Sequence, residues 1–168
     1  MKSLPETPTS EDHEWLVAVM GRPLDGDFQI ASRTQEGRPQ VLRVPPIING
    51  KPFPSLYWLC CPDLKKRIDH LEARGEISTF ENLLKTDSSL RESLRENHQD
   101  YVKERWSLVR EDDLAALESP NMIKSLQTKG IGGLGNWQQI RCLHMHYAFH
   151  LIRPTRLGGM IDALLEKA

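Results

Sequence analysis

Hydrophobic and polar residues alternate in two early stretches of the chain, FQIASRT and PQVLRV, and a third stretch, SLYWLC, has the aromatic and aliphatic side chains that suit a buried strand. This alternation predicts strands with one buried face, and the QEGR between the first two stretches predicts a hairpin turn. The segment PPIINGKPFP precedes the third stretch, and its prolines and glycine predict a shaped loop. The N-terminal half is therefore predicted to form a small antiparallel sheet of about three strands.

From Pro62 onward the hydrophobic positions repeat with helical spacing. Leu64, Ile68 and Leu71 form an i, i+4, i+7 stripe, and Gly75 stands where a helix C-cap belongs. Similar patterns predict helices over 13–20, 78–84, 88–109, 113–117, 120–128 and 137–152, with a short helix at the C-terminus. The predicted fold class is therefore α+β, with the sheet packed against several helices.

Composition excludes several classes of protein. The chain has 22 basic and 23 acidic residues and a formal net charge of -1, which disfavours binding to nucleic acid through phosphates alone. No apolar run approaches the roughly 20 residues that cross a bilayer, and the polar N-terminus is unlike a secretory signal. We therefore expect a cytoplasmic protein without a membrane partner. Residues 1–10 are predicted to form a flexible tail and residues 11–168 a single α+β domain.

The cysteines of the chain are candidates for chemistry. Cys60, Cys61 and Cys142 are an odd number in a chain without an export signal, which argues against a structural disulfide. Cys61 precedes Pro62, and proline is favoured at the first helical position, so Cys61 is predicted to be a helix N-cap. Unpaired N–H groups and the helix dipole there stabilise a thiolate. Cys61 is a candidate nucleophile or metal ligand, with a small buried hydrophobic residue as the alternative, which we favour for Cys60.

One long predicted helix, SSLRESLRENHQDYVKERWSLV, carries polar side chains on its apolar face. His98, Tyr101 and Arg105 share a stripe with leucines when the segment is wound at about 100° per residue. A buried arginine needs partners, because an unpaired buried charge costs several kcal/mol. Two interpretations are open. The three side chains form an internal network, or they form a site that binds a small anionic ligand.

A second concentration of candidate ligands lies in IRCLHMHYAFH. In a continuous helix Cys142 and His146 are i, i+4 neighbours that could reach one metal ion, whereas His144 points roughly the opposite way. A helix that starts near Leu143 would relax this limit. Cysteine and histidine ligands indicate zinc or iron, with further ligands such as Cys61 coming from elsewhere in the chain. The alternative is a core cysteine with satisfied core histidines.

Six stretches occur in the order GRPLDG, NGKPFPSLYWLCCP, DHLEARG, ENHQDYVKER, GIGG and RCLHMHYA. With them the chain resembles an uncharacterised bacterial family, a domain of unknown function numbered 501, over about residues 20–159. The resemblance implies a cytosolic bacterial protein and supplies no established activity. By motif it points to Cys61 with Pro62, His98, Tyr101, Cys142, His144 and His146. The chain departs from the family pattern at Cys60, where threonine is usual, and in SRTQEGRP, where many relatives have a cysteine.

Together these patterns predict one polar pocket between the end of the sheet and two helices. Catalytic roles are predicted for Cys61, His98, Tyr101 and Arg105, and metal-ligating roles for Cys61, Cys142, His144 and His146. If the protein is an enzyme, either a metal ion acts as Lewis acid or activates water, or Cys61 is a nucleophile with His98 or His144 as its base. The competing prediction is a non-catalytic binding or adaptor protein whose Cys/His cluster is structural.

Overall fold

The computed structural model describes residues 4–117 and 119–167, and in these residues the chain has the predicted α+β fold. The strands are β1 (Gln29–Arg33), β2 (Pro39–Arg43), β3 (Ile47–Ile48), β4 (Lys51–Pro52) and β5 (Tyr57–Leu59). The first, second and fifth form an antiparallel sheet in the order β1-β2-β5, which confirms the predicted three-stranded sheet.

The segment predicted as a shaped loop contains a second, two-stranded sheet made by β3 and β4. Its turn is Asn49-Gly50, and both residues have a positive φ, of 52° and 71°. Two-residue hairpin turns favour this dipeptide, because asparagine and glycine tolerate the left-handed backbone that the turn requires. The turn signal was therefore present in the sequence, although the surrounding prolines obscured it.

Eight helices occur in the described residues. They are α1 (Ser10–Met20), α2 (Pro62–Ala73), α3 (Glu76–Thr86), α4 (Ser88–Ser107), α5 (Glu111–Ala115), α6 (Pro120–Thr128), α7 (Leu143–Ile152) and α8 (Arg156–Leu165). A short 3-10 turn, Ile131–Gly133, lies in the glycine-rich loop after α6. None of these helices combines the length and apolar character that crossing a membrane requires.

The predicted helix over 137–152 is wrong in its first part, because α7 begins only at Leu143. Cys142 is extended, with φ -157° and ψ 124°. Just before it, the backbone N–H of Ile140 donates to a carboxylate oxygen of Glu81 at 2.9 Å rather than to a carbonyl one turn earlier. A long-range contact therefore replaces the local hydrogen bond that the helical pattern implied.

The segment before α1 is attached to the sheet. Glu6 and Ile30 exchange two backbone hydrogen bonds, of 2.9 and 2.8 Å. Thr9 caps α1 in a capping box with Asp12, and Arg33 donates to both carboxylate oxygens of Asp12. The Arg33 guanidinium holds the pKa of Asp12 well below its usual range. Residues 1–3 of the predicted tail lie outside the described residues.

The interior has two hydrophobic clusters. The larger one joins the sheet to α2, α3, α4, α7 and α8, and the smaller one lies between α1 and the sheet. Cys60 packs in the smaller cluster and Cys61 against the larger one, as expected for neighbours on an extended chain. Burial raises the pKa of the Cys60 thiol to about 12, which makes it an inert part of the core.

The contact between α7 and α8 depends on Gly158. A Cβ atom at this position would lie 2.0 Å from Cγ of His150, whereas at Gly159 it would meet nothing within 4 Å. We expect Gly158→Ala to lower the free energy of unfolding by about 1–3 kcal/mol or more through overpacking. Gly159→Ala is the matched control and should be neutral or stabilising. Urea denaturation compares the two variants, and equal midpoints would contradict the close packing.

Candidate metal centre

A carboxylate, a thiol and an imidazole converge where the last turn of α2 meets the start of α7. Glu72, Cys142 and His144 each offer a ligand atom, and these atoms all lie within 4.8 Å of one another. Nδ1 of His144 is 3.5 Å from Sγ of Cys142 and 3.2 Å from Oε1 of Glu72. All three residues are half-buried, so solvent species can reach them. A group of this composition could hold a metal ion.

The start of α7 explains how Cys142 and His144 come to face the same point. Two residues apart on a helix, their side chains would diverge by about 200°. Cys142 is instead the extended N-cap of α7, and only His144 lies inside the helix. Glu72 fixes the junction, since its Oε1 accepts the N–H of Leu143 at 2.6 Å. The helix start near Leu143, one of the two alternatives left open by the sequence, is the one found.

The second ring nitrogen of His144 is held from the opposite side. Nε2 lies 3.1 Å from the carbonyl oxygen of Lys65 and 3.2 Å from Oδ1 of Asp69. Both partners are acceptors, so we assign the proton of the neutral ring to Nε2, which leaves the Nδ1 lone pair facing Cys142 and Glu72. The Nδ1 lone pair and an ionised Glu72 carboxylate repel each other at 3.2 Å unless a proton or a metal ion lies between them.

The electrostatics of His144 agree with this geometry. Burial lowers the pKa of its imidazole, but the contact with the Cys142 sulfur, the carbonyl of Lys65 and the charge of Glu72 outweigh it and raise the pKa to about 9. The surroundings of the ring therefore favour a positive charge.

The structure brings together two of the four residues predicted to ligate metal. Cys142 and His144 belong to the group, and Glu72 joins them. Cys61 is the N-cap of α2, as predicted, and makes no capping hydrogen bond through its side chain. Among the described residues, neither Cys61 nor His146 is part of the convergent group. Glu72 was not among the predicted ligands, which were all cysteines and histidines, although it lies in the DHLEARG motif.

His98, Tyr101 and Arg105 lie together in the interior, and each is 0% exposed. Nδ1 of His98 accepts the N–H of Ile131 at 2.9 Å, and the Tyr101 hydroxyl accepts the N–H of Leu56 at 2.5 Å. The Arg105 guanidinium donates to the carbonyls of Pro54, Leu126 and Lys129 at 2.5–3.1 Å. These contacts match the internal network that was one of the two interpretations of the stripe.

His146 faces the interior on the other side of α7 from the metal group. Its ring meets that of His98 edge to face, with 5.6 Å between centroids, and Trp137 stacks on His98 at 5.4 Å. Burial lowers the pKa of His98 to about 4. Burial, with a smaller contribution from His98, lowers the pKa of His146 to about 3. Both imidazoles are therefore neutral near pH 7.

Comparison with known families agrees with the sequence motifs. Residues 30–161 match the model of the family described as "Protein of unknown function (DUF501)". The chain belongs to this family. The DUF501 match includes the metal group and the interior network of α4. No curated protein and no solved structure matches the chain.

Proposed function

We propose that this DUF501 protein is a metal-dependent enzyme in which Glu72, Cys142 and His144 hold one zinc ion. The observation that carries the proposal is the convergence of three different ligand atoms within 4.8 Å of one another. Catalytic zinc sites use three protein ligands and keep a fourth position for water or substrate, whereas structural sites use four protein ligands. A set of three half-buried ligands fits the catalytic class.

The outer contacts of His144 support the same proposal. A histidine that binds metal through one nitrogen almost always donates the other N–H to a carboxylate or a backbone carbonyl, which fixes the ring. Here Lys65 O and Asp69 Oδ1 occupy that place at 3.1 and 3.2 Å. Glu72 is likewise fixed by its hydrogen bond from Leu143. Two of the three ligands are therefore oriented without the metal, which reduces the cost of binding it.

The chemistry proposed is metal-assisted hydrolysis or group transfer on a small anionic substrate. Zinc in such a site acts as a Lewis acid and lowers the pKa of bound water to about 7. Lys65 and Lys66 border a cleft of about 190 Å³ that Asp69 also lines. Asp69 contacts Nε2 of His144, so the cleft lies across the imidazole from the metal position beside Nδ1, and its two lysines attract anions to the neighbourhood of the site.

A second candidate is a cysteine-dependent enzyme with Cys142, rather than Cys61, as the nucleophile. The distance of 3.5 Å between Sγ of Cys142 and Nδ1 of His144 favours it, because a nucleophile and its base must lie within hydrogen-bond reach. Glu72 favours the metal-dependent alternative, because its carboxylate oxygen lies closer to Nδ1 of His144 than the Cys142 sulfur does and competes with the thiol for that nitrogen. A non-catalytic protein with a structural metal is the third possibility.

Metal analysis of freshly purified protein tests the proposal. We expect one zinc ion per chain. The ligand variants Cys142→Ser, His144→Gln and Glu72→Gln should each lose affinity for added Co²⁺, and the loss should be well over the roughly 10–100-fold that is typical when an outer-shell partner is replaced. Glu72→Gln keeps a carbonyl oxygen for the Leu143 N–H, so the start of α7 is preserved. Cys61→Ser is the matched control, because this cysteine caps the opposite end of α2 and lies outside the group, and the variant should bind metal normally.

The other outcomes separate the alternatives. If a chelator unfolds the protein, as monitored by circular dichroism, the metal has a structural role and the proposed catalytic role is contradicted. Protein without metal, but with rapid alkylation of Cys142 near neutral pH that His144→Gln abolishes, would favour the nucleophile. Loss of metal in Cys61→Ser would restore the ligand set first predicted from the sequence.

A further inference from the structure

A second cavity lies away from the metal group, between the end of α3, the first half of α4 and the loop over residues 135–138. Its volume is about 600 Å³, within the range of roughly 300–1,000 Å³ that is usual for small-molecule sites. Leu84 and Leu94 form an apolar floor, and both are buried. The residues that line it include none of the three metal ligands.

One wall of this cavity carries an aromatic ring that is fixed from behind. Trp137 lines the cavity and stacks on His98 with an interplanar angle of 17°. The backbone at Gly130 lies so close that a Cβ there would be 2.8 Å from Nε1 of Trp137. The indole is therefore held in place before a ligand arrives, and part of it remains available to the cavity.

The opposite wall carries two guanidinium groups, four residues apart on one face of α4. Arg91 donates through Nη1 to the carbonyl of Leu84, and Arg95 pairs with Glu92, which is itself exposed. This wall therefore carries two positive charges and one negative charge. Flexible, exposed ion pairs of this kind contribute little to stability and are readily rearranged around a ligand.

Amide groups complete the lining beside Trp137. Asn136 and Gln138 flank the indole and border the cavity. The side-chain oxygen of Asn136 accepts the backbone N–H of Gln138 at 3.0 Å, so the orientation of this amide is set and its NH₂ donors remain for a ligand. A stacking ring, two guanidinium groups and fixed amide donors are thus present around one space.

We propose that this cavity binds a mononucleotide. The base stacks against Trp137, the amides of Asn136 and Gln138 meet its edge, and the phosphate lies between Arg91 and Arg95. Base–aromatic stacking is worth about 1–3 kcal/mol, and guanidinium groups bind phosphate through paired hydrogen bonds. A single nucleotide fits the cavity volume. A longer nucleic acid would need a basic track, which a chain of net charge -1 does not supply.

Isothermal titration calorimetry with AMP and adenosine, on the chain of 168 residues, tests the proposal. We expect saturable binding of AMP, and binding of adenosine weaker by about tenfold because it lacks the phosphate. Arg95→Gln should weaken AMP binding about tenfold, and Glu92→Gln should strengthen it a few-fold by removing the competing carboxylate. Arg74→Gln is the matched control, since Arg74 forms a comparable exposed pair with Glu76 elsewhere, and should bind AMP as wild type does.

Arg95→Gln should weaken AMP binding and Glu92→Gln should strengthen it. A general loss of structure would weaken AMP binding in both variants, so misfolding cannot mimic the expected result. Absence of saturable binding at roughly millimolar AMP would overturn the proposal. So would equal affinity in both variants, or tighter binding of single-stranded oligonucleotides than of AMP. Cys142→Ser should retain AMP binding, so the outcome does not depend on the metal centre.

Discussion

Replacing Arg105 by methionine is expected to lower the free energy of unfolding by about 3–5 kcal/mol. The guanidinium is wholly buried and donates to the carbonyls of Pro54, Leu126 and Lys129. Methionine fills similar volume but leaves these acceptors without donors in the interior. Urea denaturation at pH 7, followed by circular dichroism, measures the loss.

The position of the acceptors explains why Arg105 needs no carboxylate. Leu126 and Lys129 lie at the C-terminal end of α6, where carbonyls lack helical partners and the helix dipole is negative. Arg105→Lys should recover only part of the stability, because an ammonium group cannot reproduce the planar fork. Arg74→Met, at an exposed arginine, is the control and should change stability by less than about 0.5 kcal/mol. A similarly small effect of Arg105→Met would contradict the network.

Acidification from pH 7 to pH 4 is expected to cost the protein several kcal/mol of stability through His98 and His146. Both are neutral in the folded state, with pKa values of about 4 and 3, whereas the ordinary value is 6.5. As the pH falls below 6.5, His98 and His146 become protonated in the unfolded chain but stay neutral in the folded chain, so protonation favours unfolding. The contribution is therefore complete above pH 6.5 and is lost toward pH 3–4. Each tenfold difference in proton affinity between the folded and unfolded chain corresponds to about 1.4 kcal/mol.

Unfolding free energies measured by urea at several pH values test this dependence. His146→Phe keeps an aromatic ring beside His98 and should flatten the slope between pH 6.5 and 4. His70→Gln, at an exposed position of α2, is the control and should leave the slope unchanged. A wild-type slope equal to that of His146→Phe would show that His146 becomes protonated without cost.

The sequence predicts the fold well where local pattern decides it. The alternation in FQIASRT and PQVLRV identifies the hairpin of β1 and β2, and proline after Cys61 identifies the start of α2. The α4 stripe also correctly places His98, Tyr101 and Arg105 inside. Each of these features follows from a few neighbouring residues.

The candidate site depends on contacts that local pattern does not report. Glu72 and His144 are 72 residues apart, and no local pattern in α2 or α7 predicts that the end of α2 contacts the start of α7. The partners of Arg105 are hidden for a different reason. They are backbone carbonyls, which every residue has, so no side chain in the sequence marks them. Cys142 and His144 were foreseeable as a pair only once the start of α7 was known.

Because Arg105 is buried, hydrogen exchange at its side chain can report local opening of the structure. Its guanidinium has no exposed surface and ties α4 to the end of α6 and to the segment before β5. The Nε proton can therefore exchange with deuterium only when those segments separate. In a nitrogen-15 spectrum recorded under native conditions, the decay of that one resonance would report how often α4 separates from these two segments.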